Sequence, residues 1–289
     1  MRVINFSCPE ELKVRYFPST VLAIGFFDSV HLGHQHVIKT AKEISKKKGL
    51  KLAALTFFPH PKEVLSNGTK KVNYLTPLSD KIQSLANLGV EICYLVNFNK
   101  EFSNMSPKKF VHECIVKHNV KHVVAGFDFA YGRRGEGNMS RMKEDGNGMF
   151  DVTTISKVEE QNNKISSTLI RNLINDGEVD KVPSYLGDFY ISKGNIEGYE
   201  MDYRQNKIYF TLKQHSHYML PKSGAYKVEL TVDSRKIFGI AYVDRGCSLI
   251  TLALDQSINN LDDASVTIKW INHSEEHTLS SLLQKARIV

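Results

Sequence analysis

The chain has no apolar run near the length of about 20 residues needed to cross a bilayer, and its first residues, MRVINFSCPEELK, lack the pattern of a secretory signal. A cytoplasmic protein without a membrane partner is expected. Cysteine is scarce and scattered: Cys8, Cys93, Cys114 and Cys247 form no C-x-x-C pair. That excludes a disulfide framework and a structural zinc site, and leaves four free thiols. A basic stripe interleaved with aromatics is also missing. The formal net charge of +7 suits anionic ligands such as nucleotides. Much of it lies in Lys46-Lys47-Lys48 and Lys70-Lys71, which read as solvated ends of helices and loops, so nucleic acid is not an expected partner. There is no internal repeat. With 289 residues the chain has room for two modest domains, each with its own core.

What is present centres on Val21 to Lys39, VLAIGFFDSVHLGHQHVIK. An apolar run, Val21 to Phe27, suits a strand buried on both faces. It breaks at Asp28-Ser29, and after His31-Leu32-Gly33-His34 the apolar residues Val37, Ile38, Ala41 and Ile44 take helical spacing. Both histidines therefore fall at a strand-to-helix turn, where free N–H groups and the helix dipole favour an anion. Gly33 lets backbone approach a ligand, and the imidazoles can donate to phosphate oxygens. His-x-x-His with no Cys or carboxylate at ligand spacing is a poor zinc signature, so a nucleotide-phosphate site is the leading reading.

Further along, Leu50 to Phe57 reads as a second buried strand, ending in the irregular Phe58-Pro59-His60-Pro61. Ser79-Asp80-Lys81 caps a helix through Leu88 that Gly89 closes, and Ile92 to Val96 is a third strand. Ser106-Pro107 starts a helix on which His112 and His118 are expected at the surface. The fourth strand, His122 to Ala125, runs into Gly126-Phe127-Asp128-Phe129 and a glycine- and arginine-rich loop, Tyr131 to Asn138. That loop reads either as a flexible cationic lid for phosphates or as a solvated turn. Asp151 to Ile155 is a fifth strand. In Ile165-Ser166-Ser167-Thr168-Leu169-Ile170-Arg171, three hydroxyls and a guanidinium meet at a helix start, more than a cap needs and suited to a pyrophosphate.

This alternation implies an α/β fold with a mainly parallel sheet and right-handed crossovers over residues 1 to 186. Beyond Leu186-Gly187, Tyr209 to Leu212, Ala225 to Val232, Ile237 to Val243, Ser248 to Leu254 and Ser265 to Ile271 read as antiparallel strands of a small barrel or sandwich. Leu279 to Ala286 reads as a terminal helix.

GFFDSVHLGH (Gly25 to His34), TFFPHPKEVL (Thr56 to Leu65), GFDFAYGRRGEGN (Gly126 to Asn138) and KISSTLIRNLINDGEVDKVPSYLG (Lys164 to Gly187) together resemble the adenylyltransferase module of prokaryotic bifunctional riboflavin kinase/FAD synthetases. They occur in that family's order and cover nearly all of residues 15 to 187. The resemblance implies a Rossmann-like nucleotidyltransferase domain over residues 1–186 and a riboflavin-kinase-like β-barrel domain over 187–289. It implies transfer of AMP from ATP to FMN, giving FAD and pyrophosphate, with Mg2+. By that pattern His31 and His34 contact ATP phosphates in the transition state, and Ser166, Ser167, Thr168 and Arg171 hold the β- and γ-phosphates. Gly25, Phe27, Asp28 and Gly33 shape the ATP pocket, and Gly126, Asp128 and Phe129 the adenosine region. FMN falls to Phe58, His60 and Pro61 and to Tyr131, Arg133 and Asn138. No metal ligand is assigned.

Several departures are visible. Ser29 stands where the family commonly has glycine, and Phe58 where it commonly has an acidic residue. The family's Pro-Thr-Ala-Asn motif is missing from GYEMDYRQNKIYF (Gly198 to Phe210), and SLITLALD (Ser248 to Asp255) lacks the glutamate base of the kinase. Phosphoryl transfer to a neutral hydroxyl needs both a base and a metal ligand, so a vestigial kinase module is expected. The alternatives are a flavin- or nucleotide-binding regulatory protein without catalysis, and a nucleotidyltransferase acting on another phosphorylated acceptor.

Overall fold

A computed structural model describes residues 1–7, 17–160, 163–203, 207–215, 217–254 and 264–274. Cys8 and the expected terminal helix lie outside them. Two compact units are formed, Met1–Val72 with Leu78–Ile165, and Asn73–Pro77 with Ser166–Val289. Among the described residues no helix is long and apolar enough to cross a membrane, and Cys93, Cys114 and Cys247 are free thiols.

The first unit follows the order β1 (Arg2–Phe6), β2 (Thr20–Ile24), α1 (Leu32–Lys48), β3 (Lys51–Phe58), α2 (Pro61–Leu65), α3 (Leu78–Asn87) and β4 (Ile92–Asn97). It continues with α4 (Lys100–Ser103), α5 (Pro107–Val111), a π-helical turn (His112–Val116), β5 (Val120–Gly126), β6 (Ala130–Tyr131), β7 (Gly137–Asn138), α6 (Met142–Asp145), β8 (Asp151–Ile155), β9 (Glu159–Glu160) and β10 (Asn163–Lys164). Six strands make one parallel sheet in the order β1-β4-β3-β2-β5-β8. In the centre Thr20 of β2 pairs with Val120 of β5.

Residues of β2 alternate between two apolar layers. Leu22 and Ile24 join Leu55, Tyr94, Phe110 and Ile115 on one face, while Val21 and Ala23 join Ala54, Cys93 and the Val37, Ile38 and Ala41 stripe of α1 on the other. Both faces are thus covered, which is why the strand reads as a continuous apolar run instead of an alternation. Each fully buried Leu or Ile here contributes about 1.5–3 kcal/mol of burial free energy.

Two expectations are corrected in this unit. Strand β2 stops at Ile24, short of Phe27, because Phe27 has φ 54° and cannot continue a pleat. His118 is 1% exposed, not at the surface. Its ring packs among Phe6, Phe17 and Tyr94 at centroid distances of 4.9, 4.6 and 4.7 Å, and its Nδ1 donates to Glu113 O at 3.0 Å. The expected exposure holds for His112.

The second unit begins with α7 (Ser167–Asp176) and α8 (Pro183–Leu186), then β11 (Ile191–Asp202), β12 (Lys207–Gln214), β13 (Gly224–Val232), β14 (Arg235–Asp244), β15 (Leu249–Leu254) and β16 (Ser265–Ser274). Antiparallel pairing in the order β11-β12-β15-β14-β13-β16, with β16 returning to β11, closes the barrel. Strand β11 escapes the sequence reading because Gly194 and Gly198 interrupt its pattern. A Cβ on Gly194 would meet Lys213 O closer than contact allows, so the neighbouring strand requires glycine there. Strands β13 and β14 join through Asp233 (φ 46°) and Ser234 (φ 67°), the double left-handed turn that matches strand twist. Inside the barrel Trp270 is fully buried and its Nε1 donates to Ser192 Oγ at 3.0 Å.

Candidate functional site at the carboxyl edge of the parallel sheet

The chain leaves β2 through a turn that few side chains favour. Phe27 (φ 54°), Ser29 (φ 64°) and Val30 (φ 43°) all occupy the left-handed region, at a cost of about 1–2 kcal/mol each. Gln35 Nε2 donates to Val30 O at 3.2 Å and Thr56 Oγ1 to Phe26 O at 2.8 Å, so the turn is tied at both ends. It delivers His31 to the N-cap of α1, where His31 Nδ1 accepts the backbone N–H of His34 at 3.2 Å. Since Nδ1 is the acceptor, the ring proton of a neutral His31 sits on Nε2.

The rings of His31 and His34 stack at 3.6 Å with an interplanar angle of 14°. Phe27 meets His34 edge-on at 5.2 Å. Burial first, and then the charges of His31 and Lys81, hold His34 well below the usual imidazole range, so His34 is neutral near pH 7. No carboxylate stands in the first turn of α1 to offset its positive pole. A Cβ on Gly33 would press on the His31 ring at 3.2 Å, which is why this position in the motif is glycine.

The same sheet edge carries a cavity of about 680 Å3. Phe57, Phe98, Phe102, Phe110, Phe129 and Tyr131 form its aromatic walls, and Pro61, Leu65 and the Gly132–Gly135 segment complete it. Phe57 is the penultimate residue of β3, Phe98 follows β4 and Phe129 follows β5, so the cavity draws on the carboxyl ends of parallel strands, as α/β ligand sites do. Phe110 and Tyr131 stack at 5.0 Å. Arg133 and Arg134 supply positive charge at the wall.

The glycine- and arginine-rich loop is braced, not free. Tyr131 Oη donates to Asp145 Oδ2 at 2.6 Å, and Arg141 grips the other carboxylate oxygen at 2.8 Å. Burial, and then the Asp145 bond, push the Tyr131 phenol up. Arg133 N donates to Met105 O at 2.6 Å, and β6 pairs with β7. A Cβ on Gly132 (φ 75°) would strike the Pro107 backbone at 2.8 Å.

Of the residues expected at a flavin site, Pro61, Tyr131 and Arg133 line the cavity. His60 caps α2 by accepting Lys62 N at 3.0 Å, Asn138 accepts Ser140 N and Arg141 N, and Phe58 O accepts Phe98 N at 3.0 Å. Asp128, at the end of the Gly126 strand, is paired with Lys164, whose ammonium also lies 4.9 Å from the Phe127 ring centre. Phe98 and Phe102 were missed because Phe98 lies before the N-cap of α4 and Phe102 sits on a single turn too short to show a period.

Ser166, Ser167, Thr168 and Arg171 belong to the second unit. Ser166 is the N-cap of α7, accepting Leu169 N at 3.2 Å. Ser167, Thr168 and Arg171 then lie within the first turns, and Arg171 Nε donates to Asn73 O at 2.8 Å.

A family model described as FAD synthetase matches residues 14–169. The chain belongs to the FAD synthetase family. A bifunctional riboflavin kinase/FMN adenylyltransferase of Listeria monocytogenes is 44% identical over 83% of this chain and 76% of its own. Its namesake in Bacillus subtilis is 39% identical over 84% of this chain and 77% of its own. A protein named FAD synthetase, also from Listeria monocytogenes, is 30% identical over 73% of this chain and 81% of its own. Among solved structures, one described as a macrolide-efflux protein from Streptococcus pneumoniae aligns with a TM-score of 0.83 over 99% of this chain and 96% of that one. At 22% identity that likeness shows a shared fold alone.

Proposed function

We propose that this member of the FAD synthetase family transfers the adenylyl group of ATP to FMN, giving FAD and pyrophosphate. One juxtaposition carries the reading: a helix N-terminus headed by two stacked imidazoles and an aromatic cavity of about 680 Å3 share one sheet edge in one compact unit. The first suits phosphates and the second a large planar ring system. We further propose residues 1–186 as the nucleotidyltransferase domain and 187–289 as a riboflavin-kinase-like barrel. The setting is that of a cytoplasmic enzyme of small nucleotides.

In this reaction a phosphate oxygen of FMN attacks the α-phosphorus of ATP, and the bond from that phosphorus to the bridging oxygen breaks as pyrophosphate leaves. FMN is already largely dianionic near neutral pH, with a second pKa of about 6, so no general base is needed. Alignment and charge neutralisation do the catalysis. His31 offers Nε2–H and the first-turn amides of α1 offer N–H groups to the phosphates. His34, kept neutral, does so without the solvation cost of a second buried cation.

Ser166, Ser167, Thr168 and Arg171 take the β- and γ-phosphates, while Gly25, Phe27, Asp28 and Gly33 shape the ATP pocket, and Gly126 and Asp128 the adenosine region. Phe129 we assign to the flavin wall with Pro61, Tyr131 and Arg133. Magnesium would enter with the nucleotide, held chiefly by phosphate oxygens and water, and would neutralise charge on the phosphates; among the described residues no group of three or more His, Cys, Asp or Glu side chains is placed to hold it.

Riboflavin kinase activity is proposed absent, although two of the relatives carry it in their names. The support is chemical: GYEMDYRQNKIYF has no Pro-Thr-Ala-Asn and SLITLALD no glutamate. Chromatography of flavins after incubation with magnesium and ATP tests both points. FAD from FMN and no product from riboflavin is the expected result. FMN or FAD from riboflavin overturns the kinase proposal, and no FAD from FMN overturns the first.

A further inference from the structure

Helix α3 turns one lysine inward, into the layer beneath the site. Lys81 is 2% exposed, a costly place for an ammonium unless its protons are accepted. Its Nζ donates to Phe26 O at 3.1 Å, Phe57 O at 3.3 Å and Thr56 Oγ1 at 3.4 Å. The ammonium also lies 4.3 Å from the Phe26 ring centre, and that ring meets His60 edge-on at 4.4 Å. Three donors thus meet three acceptors, all where β2 and β3 run out.

Phe26 is the residue immediately before the left-handed run of Phe27, Ser29 and Val30. A turn that holds about 1–2 kcal/mol of strain per residue persists only where its surroundings over-determine it. Lys81 and Thr56 share the Phe26 carbonyl and so fix where that turn starts; Gln35 fixes where it ends.

We propose that Lys81 is a positioning residue of the adenylyl-transfer site: its ammonium clamps the ends of β2 and β3 through Phe26 O, Thr56 Oγ1 and Phe57 O, and so sets the turn that presents His31 and His34. The role in catalysis rests on the function proposed above; the clamp itself does not.

The charge of Lys81 is poised. Burial lowers its pKa to about 8, while Asp28 after β2 and Cys93 on β4 act against that. His34 on α1 feels the ammonium in turn. Above pH 8 the clamp loses its proton, and the carbonyls lose their strongest donor.

Two measurements on the full-length protein test this. The first follows the ring signals of His31 and His34 by NMR from pH 6.5 to 9.5 in the unaltered protein. His34 is neutral throughout that range, so the same series in Lys81→Met isolates the lysine: an alkaline transition or ring shifts lost in the variant report the clamp, and ring signals identical in the two proteins overturn the proposal. The second compares kcat and KM for FAD formation in Lys81→Met and Lys81→Arg. Lys81→Met is expected to lower kcat about 100-fold, the scale of a misplacement near 1 Å, with a smaller change in KM and no alkaline limb near pH 8. Lys81→Arg retains a charge and recovers part of kcat. Wild-type kcat and an unchanged pH profile in Lys81→Met overturn the proposal. Should the unaltered protein make no FAD, the functional reading fails, while the ring signals still decide the clamp.

Discussion

His31 Nδ1 accepts the backbone N–H of His34 at 3.2 Å while the two rings stack at 3.6 Å. One side chain therefore has two duties, capping α1 and, in the proposed reaction, offering Nε2–H to the phosphates, and they are separable. His31→Asn keeps a cap and loses the donor; His31→Ala loses both. His31→Ala is expected to lower kcat by about 10²- to 10³-fold, as removal of a single transition-state donor does, and to cost about 1 kcal/mol of stability. His31→Asn recovers the stability and not the rate. Denaturant unfolding beside steady-state kinetics checks the split.

His118 makes the protein acid-sensitive. Burial first, against the bond to Glu113, lowers its pKa to about 4, whereas an unfolded histidine takes its proton near 6.5. Between those values the unfolded chain binds more protons. Stability therefore rises with pH through the window and is lost as pH falls from 6.5 to 4. The expected loss is up to about 3 kcal/mol. In His118→Phe, Tm should fall less over the same window, and parallel Tm curves for the two proteins would remove His118 as the cause.

Tyr131→Phe deletes the hydroxyl that satisfies Asp145, a carboxylate whose side chain is 2% exposed. Asp145 keeps Arg141, so a loss of about 1–2 kcal/mol is expected. The ring that lines the cavity stays. Tyr131→Ala removes the ring as well, and only this variant should raise KM for FMN, by about tenfold. Equal KM for FMN in both variants would separate this cavity from the flavin.

Ser29→Gly relieves a left-handed residue at φ 64°. The strain of about 1–2 kcal/mol exceeds the entropic cost of glycine, about 0.5–1 kcal/mol, so the variant should gain roughly 0.5–1 kcal/mol in chemical denaturation. A destabilised variant would mean that the Ser29 side chain holds the turn.

Much of the first unit was legible because apolar runs and caps are local signals. The N-cap role of Ser106 and the extent of β8 follow from neighbours in sequence, whereas β5 begins at Val120, two residues before the His122 start read from the apolar run. The aromatic cavity was legible only at Pro61, Tyr131 and Arg133. Its remaining walls come from strand ends far apart in the chain, and nothing in the spacing of Phe57, Phe98 and Phe129 says that they meet. Lys81 was read as part of a helix cap; an inward lysine on a helix that otherwise alternates normally leaves no mark in sequence. Strand β11 was hidden by the glycine that its neighbour demands.

The pairing of Thr20 with Val120 at the centre of the sheet also sets a timetable. The middle of that sheet joins segments distant along the polypeptide, so a long loop must close before any contact rewards it, whereas β13 and β14 meet across the two-residue turn at Asp233-Ser234. Loop-closure entropy makes the first slow and the second fast. During synthesis the slow half emerges first, and the edge of β2 that pairs with β5 stays open until β5 has been made.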